Sequence, residues 1–127
     1  MKELTKAEEQ VMQYLWRLEK ALLKDVVAEF PEPRPAPTTV STVIRVLVKK
    51  GFVDYKSYSK VHEYFPLVSK KEYFKRHMGT LIKNFFNGSV AGMASYFTEN
   101  DDINLSELEQ IKLIIETKIS EKKKKDD

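Results

Sequence analysis

The sequence predicts a mainly α-helical fold with one small β-hairpin, on the basis of three patterns along its 127 residues. Apolar residues recur at helical spacing in three successive stretches, residues 7–16, 22–30 and 40–48. Two segments rich in aromatic and β-branched residues follow, residues 52–58 and 61–67, as expected for paired strands. Helical spacing then resumes in three further stretches. We therefore expect three helices, a hairpin and three more helices.

The first two helices have clear boundaries in the sequence. Thr5 and Glu8 have the spacing of a capping box, so the first helix is expected over Lys6–Leu18. The second helix should end before Pro31, because proline has no amide hydrogen and disfavours helix in the residue before it. Prolines then alternate with other residues up to Pro37, which predicts an extended connector.

The third helix and the hairpin are delimited in the same way. The helix has an apolar stripe formed by Val40, Val43, Ile44, Leu47 and Val48. Gly51 provides its C-terminal stop. Ser59 and Lys60 separate the two strands. Because this turn contains neither Gly nor Asn, the sequence does not define its type.

Serine residues mark the expected starts of the last three helices, at Ser69, Ser89 and Ser106. The first and third serines are followed three positions later by glutamate, which is the capping-box pattern. We expect residues 1–68 to form one domain and residues 69–121 a second, three-helix domain. Residues 122–127 are expected to be a disordered charged tail.

The composition excludes several kinds of site. The chain has no cysteine, which removes disulfides, thiolate metal sites and cysteine nucleophiles. Its two histidines, His62 and His77, fit no metal-ligand or triad spacing, and its four glycines form no phosphate loop. We therefore expect no metal, no cofactor and no enzymatic activity. Without an apolar leader or a run of about 18 apolar residues, the expected location is cytoplasmic, with no signal peptide and no membrane span.

The positive charge of the chain is concentrated in one short segment. The net charge is +3 overall. Residues 1–36 have six basic and seven acidic side chains, and residues 61–127 have eleven of each. Residues 37–60 contain five basic side chains and one acidic one, a local charge of +4. Such a patch is either a solvated face or the electrostatic footprint of nucleic-acid binding.

Three short helices followed by a two-stranded hairpin form the layout of a winged helix-turn-helix domain. In that fold the third helix lies in the major groove of DNA and the hairpin, or wing, contacts the backbone beside it. The residues opposite the apolar stripe of the third helix are therefore the expected contacts with double-stranded DNA: Thr38, Thr39, Ser41, Thr42, Arg45 and Lys49. Hydroxyls bond bases or phosphates, threonine methyls pack on thymine, and arginine reaches guanine or phosphate.

The lysines beside this face are expected to hold DNA phosphates, which position a protein without reading sequence. They are Lys49, Lys50, Lys56 and Lys60. Hydroxyl residues are also common at helix starts for structural reasons alone. The hairpin and the local charge favour the DNA interpretation.

The chain resembles the penicillinase-repressor family of β-lactamase and methicillin-resistance repressors, which also contains copper-responsive repressors. The resemblance is carried by LTKAEEQVMQYLW at residues 4–16 and TVSTVIRVLVKKG at residues 39–51. It continues in FNGS at residues 86–89, MASYF at residues 93–97 and LSELE at residues 105–109. The family often has an arginine where this chain has Val46.

The resemblance implies a homodimer that represses transcription on a dyad operator of a β-lactam-resistance type of operon. The last three helices would form the dimer interface. Their expected interface residues are Phe85, Phe86, Met93, Phe97, Leu108, Ile111 and Ile115. These apolar side chains exceed what a small three-helix appendage could readily bury alone, which independently favours a second copy.

The resemblance also bears on how repression would be relieved. Members that respond to β-lactams are inactivated by cleavage of an Asn-Phe bond in the fifth helix, which implies a sensor metalloprotease as a partner. The matching pair here is Tyr96 and Phe97, so the phenylalanine is kept and the asparagine is not. Copper-responsive members carry a C-terminal cysteine cluster, and this chain has no cysteine.

Two alternatives remain at this point. A winged helix also serves as a protein-interaction module, because a fold does not determine a function. The Phe- and Met-rich C-terminal region would also suit a ligand-responsive winged-helix regulator of another family. The charge on the third helix and the wing favours DNA over the first alternative, and packing at a dimer interface is the simpler explanation of the second.

Overall fold

The computed structural model describes residues 3–99 and 102–126, and its elements follow the expected order with one addition. The helices of this part of the chain are α1 (Lys6–Leu18), α2 (Leu23–Glu29), α3 (Pro37–Lys50), α4 (Lys70–Phe86), α5 (Val90–Thr98) and α6 (Leu105–Asp126). The strands are β1 (Ala21–Leu22), β2 (Val53–Tyr58) and β3 (Val61–Pro66). The helices and the hairpin match the sequence prediction, and β1 is the addition.

The strands form an antiparallel sheet in the order β1-β3-β2. In the hairpin, Tyr58 pairs with Val61 across a two-residue turn. The first turn residue, Ser59, has a φ of 57°, the positive value that the favoured two-residue hairpin turns require at this position. The turn places Lys60 at the tip of the wing.

The short strand β1 continues the sheet on the free edge of β3, where Ala21 lies opposite Tyr64. No sequence pattern predicted this strand, because its two residues adjoin the apolar pattern of the second helix. The helix α2 therefore begins at Leu23. The amide of Leu22 donates to the carboxylate of Asp25 over 3.0 Å, which caps the helix start.

The chain divides into two compact units, Met1–Met78 and Gly79–Asp127. The core of the first unit is built from fully buried residues of α1, α2, α3 and β2, including Val11, Met12, Leu15, Val26, Val40, Ile44, Leu47, Phe52 and Val53. Tyr73 of α4 packs edge-on against Phe52, with ring centroids 5.9 Å apart. Because this first part of α4 belongs to the core, the division falls after Met78, inside the helix, instead of after residue 68.

A buried ion pair joins α1 to the end of α3. Glu8 is 4% exposed and completes the capping box of α1 with Thr5. Its carboxylate oxygens accept from Nζ of Lys50 over 2.6 and 2.8 Å. Burial raises the pKa of Glu8, but the bonds from Lys50 and Thr5 outweigh it and hold the pKa below the ordinary 4.5. The pair therefore anchors α3 against α1.

We expect Glu8→Gln to lower the free energy of unfolding by about 1–3 kcal/mol near neutral pH, because it leaves the Lys50 ammonium partly buried without its counter-ion. A group whose pKa is depressed by folding stabilises the fold above its unfolded pKa and loses that contribution as the pH falls through the folded value. The difference between wild type and variant should therefore disappear under acidic conditions. The difference in unfolding free energy is measured by urea denaturation, monitored through the fluorescence of the single tryptophan, Trp16.

Glu72→Gln is the matched control, because Glu72 occupies the same third position of α4 but is exposed. It should change stability by a few tenths of a kcal/mol at most. A loss of the same size in both variants would show that the charge near the helix start matters and that the ion pair does not.

The second unit contains the end of α4 and the helices α5 and α6. The start of α5 is capped as expected, since the Ser89 hydroxyl accepts from the amide of Gly92 over 2.8 Å. The cap predicted at Ser106 is wrong. The helix α6 begins two residues earlier than that cap implies, at Leu105, and the side-chain oxygen of Asn104 accepts from the amide of Glu107 over 2.9 Å. Asparagine is among the best N-cap residues, so Asn104 and not Ser106 occupies the N-cap position of α6.

The disordered tail predicted for residues 122–127 is also wrong for the residues that the structure describes. Residues 122–126 continue α6, and Asp127 lies outside the described residues. Lysine and glutamate are strong helix formers, and lysines near a helix C-terminus interact favourably with its dipole. Exposed pairs such as Lys118 with Glu121, at 3.4 Å, add to this. Within residues 3–99 and 102–126, no helix is both long enough and apolar enough to cross a bilayer.

Candidate nucleic-acid interface

The helix α3 has one face in the core and one in solvent. Val40, Ile44 and Leu47 are buried, which fixes the orientation of the helix about its axis. The predicted DNA contacts lie on the other side: Thr38, Thr39, Thr42, Arg45 and Lys49 are exposed, and Ser41 is half-buried. The structure therefore brings these six residues together on the accessible side of one helix.

The ends of α3 account for this presentation. Pro37 occupies the first turn, where its missing amide hydrogen costs nothing. At the other end Gly51 has a φ of 85°, and its amide donates to carbonyls of the last turn. Only glycine adopts this conformation without a steric penalty. The chain can therefore reverse at once, which places the wing directly after the helix.

One hydroxyl of this face is already engaged. The side chain of Thr42 donates to the carbonyl of Thr38 over 2.9 Å, one turn earlier in α3. Its hydrogen is therefore used within the helix, and the oxygen retains only acceptor capacity. For Thr42 a DNA contact would be through that oxygen or through the methyl group. Val46, 39% exposed, adds an apolar group beside it.

The two wing lysines differ in their surroundings. Lys60 lies in the turn at the tip and is exposed. Lys56 is exposed but lies opposite Glu63 in the hairpin register. Alternation along β2 also places Lys56 on the face opposite to the one that carries Tyr55. Lys60 is thus the freer of the two cations.

A cluster of aromatic rings covers the face of the wing that carries Tyr55, opposite to Lys56. This cluster was not among the sequence predictions. We call it the wing cluster; it consists of Tyr55, Ser57, His62 and Tyr64. Ring centroids are 4.3 Å apart for Tyr55 and His62 and 5.9 Å apart for Tyr55 and Tyr64. The period-two alternation of both strands was the available signal, because it places these residues on one side.

The wing cluster adjoins the exposed face of α3. Burial raises the pKa of Tyr64, the neighbouring Tyr55 raises it further, and the positive charge of Arg45 lowers it in part. The charge of Arg45 on α3 is therefore felt at Tyr64 of the wing. Val53, at the base of the same sheet face, is buried in the core. This face of the wing thus continues from the core towards His62.

The structure corrects the role predicted for Lys50. Its ammonium group is held by Glu8, so it is not available as a phosphate contact. The two residues are 42 positions apart, and no local pattern reveals such a pair. By contrast, Arg45, Lys49, Lys56 and Lys60 form no ion pair with any residue that the structure describes. Four cations therefore remain on α3 and the wing.

The residues predicted for the dimer interface separate into two groups. Phe85, Phe97 and Ile115 are exposed, whereas Phe86, Met93, Leu108 and Ile111 are half-buried within the second unit. The ring of Phe86 lies 5.8 Å from that of Tyr96. The Tyr96–Phe97 bond lies inside α5, and both side chains are more than half exposed.

Comparison with known proteins places this geometry in a family. A profile of the penicillinase repressor family matches residues 4–117. The chain belongs to the penicillinase repressor family. The match includes both units described above, from the start of α1 to within α6. The resemblance identified from residues 4–16, 39–51 and the later motifs is thereby confirmed.

Individual members of the family are distant from this chain but match it almost end to end. The methicillin resistance regulatory protein MecI of Mammaliicoccus sciuri is 28% identical over 117 residues, 91% of this chain and 95% of that protein. MecI of Staphylococcus aureus strain N315 is 27% identical over the same lengths. The penicillinase repressor of Bacillus licheniformis is 25% identical over 122 residues, 95% of each chain.

Solved structures of two repressors are also similar. The solution structure of the DNA-binding domain of the repressor BlaI superposes with a TM-score of 0.49 and 26% identity, over 57% of this chain and 94% of that domain. The repressor CopR superposes with a TM-score of 0.45 and 29% identity, over 54% of this chain and all of that chain.

Membership of a family of repressors agrees with the expectation that the chain is not an enzyme. The histidines have structural neighbours. His62 belongs to the wing cluster, and His77 stacks on Tyr73 with centroids 6.0 Å apart. Among residues 3–99 and 102–126, no group of three or more histidine and acidic side chains is arranged to hold a metal ion.

Proposed function

We propose that this chain is a sequence-specific transcriptional repressor that binds a dyad operator in double-stranded DNA as a homodimer. The observation that supports it best is the exposed face of α3. Its hydroxyl residues and Arg45 stand in the position of a recognition helix, and Lys49 lies further along the same helix. Lys56 and Lys60 follow on the wing, and none of the three lysines has an ion pair among the described residues. This is the combination of base-reading and phosphate-holding groups that a winged helix needs.

The dimer is supported by the second unit. Neither α5 nor α6 contains a buried residue. Apolar side chains on the three helices are instead largely in solvent, among them Phe85, Val90, Tyr96, Phe97, Leu105, Leu113, Ile114, Ile115 and Ile119. Soluble monomers rarely expose so much apolar surface in one region. A second copy would cover it and would place two recognition helices on the two halves of an operator.

The family suggests the genes and the signal. The names of the relatives, which refer to methicillin resistance and to penicillinase, support a β-lactam-resistance type of operon as the target. The repressor would act in the cytoplasm. Repression would be relieved by a sensor metalloprotease that cleaves between Tyr96 and Phe97. Because that bond lies within α5, the helix must open locally before a protease could bind it in extended form.

The proposal is tested with a labelled duplex of mixed sequence and with the promoter of the chain's own gene. Binding to the mixed duplex should weaken steeply as salt increases, because phosphate contacts release counterions. Footprinting on the promoter should show two protected half-sites related by a dyad. A protein-interaction module would bind neither DNA, even at low salt, and that outcome would contradict the proposal.

Within this experiment, Lys60→Ala should weaken binding to every duplex and should reduce the salt slope by about 0.9 for each lost phosphate contact. Lys60 stands at the tip of the wing and has no acidic residue opposite it. The control is Lys112→Ala, an exposed lysine of α6. It should leave both affinity and slope unchanged. An unchanged slope for Lys60→Ala would remove the tip of the wing from the interface.

A further inference from the structure

We propose that His62 of the wing cluster is a proton-dependent contact with the phosphate backbone of DNA. This inference rests on the proposed function and extends it, because it makes the affinity for DNA depend on pH. The wing would then contribute at least two phosphate contacts of different kinds, a permanent cation at Lys60 and a titratable one at His62.

The hydrogen bonds of His62 leave one ring nitrogen available. Its Nδ1 lies 2.9 Å from the hydroxyl oxygen of Ser57, across the hairpin. The Nε2 atom forms no hydrogen bond with any residue that the structure describes. In the protonated ring both nitrogens carry hydrogen, so Nδ1 donates to Ser57 and Nε2 remains free to donate outward. A phosphate oxygen is the natural acceptor on a DNA-binding surface.

The neighbouring rings suit a charged imidazole. The ring of Tyr55 lies 4.3 Å from that of His62, and the ring of Tyr64 lies 6.1 Å away. Tyrosine faces attract a cation at such distances. The rings also restrict the imidazole, which reduces the entropy lost when it binds a phosphate.

The charges that face His62 set the direction of the pH effect. Arg45 on α3 acts electrostatically on Tyr64, and Lys60 stands in the turn two residues from His62. Both positive charges oppose a further positive charge on this face. From β2 and β3, the cluster face presents tyrosine, serine and proline side chains, and β1 adds Ala21 opposite Tyr64. The charged side chains Asp54, Lys56 and Glu63 alternate onto the opposite face. A DNA phosphate would therefore supply the negative charge that this face lacks, and it would favour protonation.

Linkage then requires that acid strengthens binding. If DNA prefers the protonated ring, affinity rises as the pH falls from neutral to mildly acidic values. Because the contact is with phosphate, the gain should be the same on the promoter and on a mixed-sequence duplex. We expect affinity to be about tenfold higher near pH 5.5 than near pH 8, and the salt slope to be steeper by about 0.9 for each histidine that gains a phosphate.

The experiment measures binding of wild type and variants to a rhodamine-labelled mixed duplex near pH 5.5 and near pH 8, each over a salt series. His62→Gln should match wild type at high pH and lack the gain at low pH. His62→Lys, with a permanent charge, should bind tightly at both. His77→Gln is the matched control, because the chain has only these two histidines, and it should keep the wild-type pH dependence.

Two results would overturn the inference. One is a wild-type affinity that does not change with pH, and the other is a His62→Gln variant that keeps the full change. Both leave the proposed function intact as long as wild type binds DNA at high pH. Absence of binding at every pH would instead refute the proposed function and this inference together. A proton-NMR titration of the His62 ring, whose midpoint should move to higher pH on adding DNA, checks the linkage directly.

Discussion

Replacing Phe85 by glutamate should convert the proposed homodimer to a monomer. Phe85 lies at the end of α4 and is 74% exposed, among the most exposed large apolar side chains of the second unit. If a second copy covers it, the variant must place a carboxylate in that apolar contact, at a cost of about 2 kcal/mol or more. A two-fold interface contains the residue twice. The dimer dissociation constant should therefore rise by about a thousandfold.

Light scattering coupled to size exclusion measures the change, since the observed mass should fall from two chains to one. Lys83→Glu is the control, because it introduces the same side chain on the same helix at an exposed polar position. It should remain dimeric, as should Phe85→Leu, which preserves an apolar group. A Phe85→Glu variant that remains dimeric would move the interface to another surface.

The monomer should also lose helix. Because α5 and α6 contain no buried residue, the second unit has little intramolecular packing to hold it once the partner is removed. Circular dichroism of Phe85→Glu should therefore show a smaller helical signal, while Trp16 in the first unit keeps the fluorescence of the folded state. Unchanged helicity in a proven monomer would mean that the second unit is stable alone.

The order of the elements was predictable because each depends on local patterns. The apolar stripe of α3, the capping box of α1 and the glycine at residue 51 are all properties of neighbouring residues. The strand β1 was not predictable in this way, because two residues have no periodicity and pair only with a strand some 40 positions later. The cap of α6 was predicted at the wrong residue for a local reason. Ser106 was chosen for its capping-box spacing, whereas Asn104, a residue equally suited to an N-cap, occupies the position.

The candidate site was also predictable where it depends on local patterns, and not where it depends on contacts between distant residues. The exposed face of α3 follows from the stripe opposite it, so the hydroxyls and Arg45 could be placed without a structure. The charge of Lys50 could not be assigned, because its partner Glu8 lies in another helix. The wing cluster was predictable in part. Alternation indicates which residues share a face, but only the structure shows that their rings pack together and that the charge of Arg45 acts on Tyr64.

Replacing Arg45 by alanine should weaken binding to the operator by roughly 1–3 kcal/mol, or about tenfold to a hundredfold. Arg45 is exposed on α3 one turn after the hydroxyl residues and forms no ion pair with any described residue. Its guanidinium group can donate two hydrogen bonds in a fixed planar geometry to the edge of a guanine. The loss should be much smaller on a mixed-sequence duplex than on the footprinted promoter.

Two control variants separate base reading from charge. Arg45→Lys keeps the positive charge but not the two-pronged geometry, so it should recover non-specific binding and little of the preference for the operator. Lys49→Ala removes a cation one turn further along α3, where a phosphate is the expected partner, and should weaken binding to both duplexes alike. Equal losses on both duplexes for Arg45→Ala, with full recovery by lysine, would assign Arg45 to the backbone. The reading of sequence would then rest on the threonines. Because the hydroxyl of Thr42 donates its hydrogen to the carbonyl of Thr38, it would rest chiefly on Thr38 and Thr39.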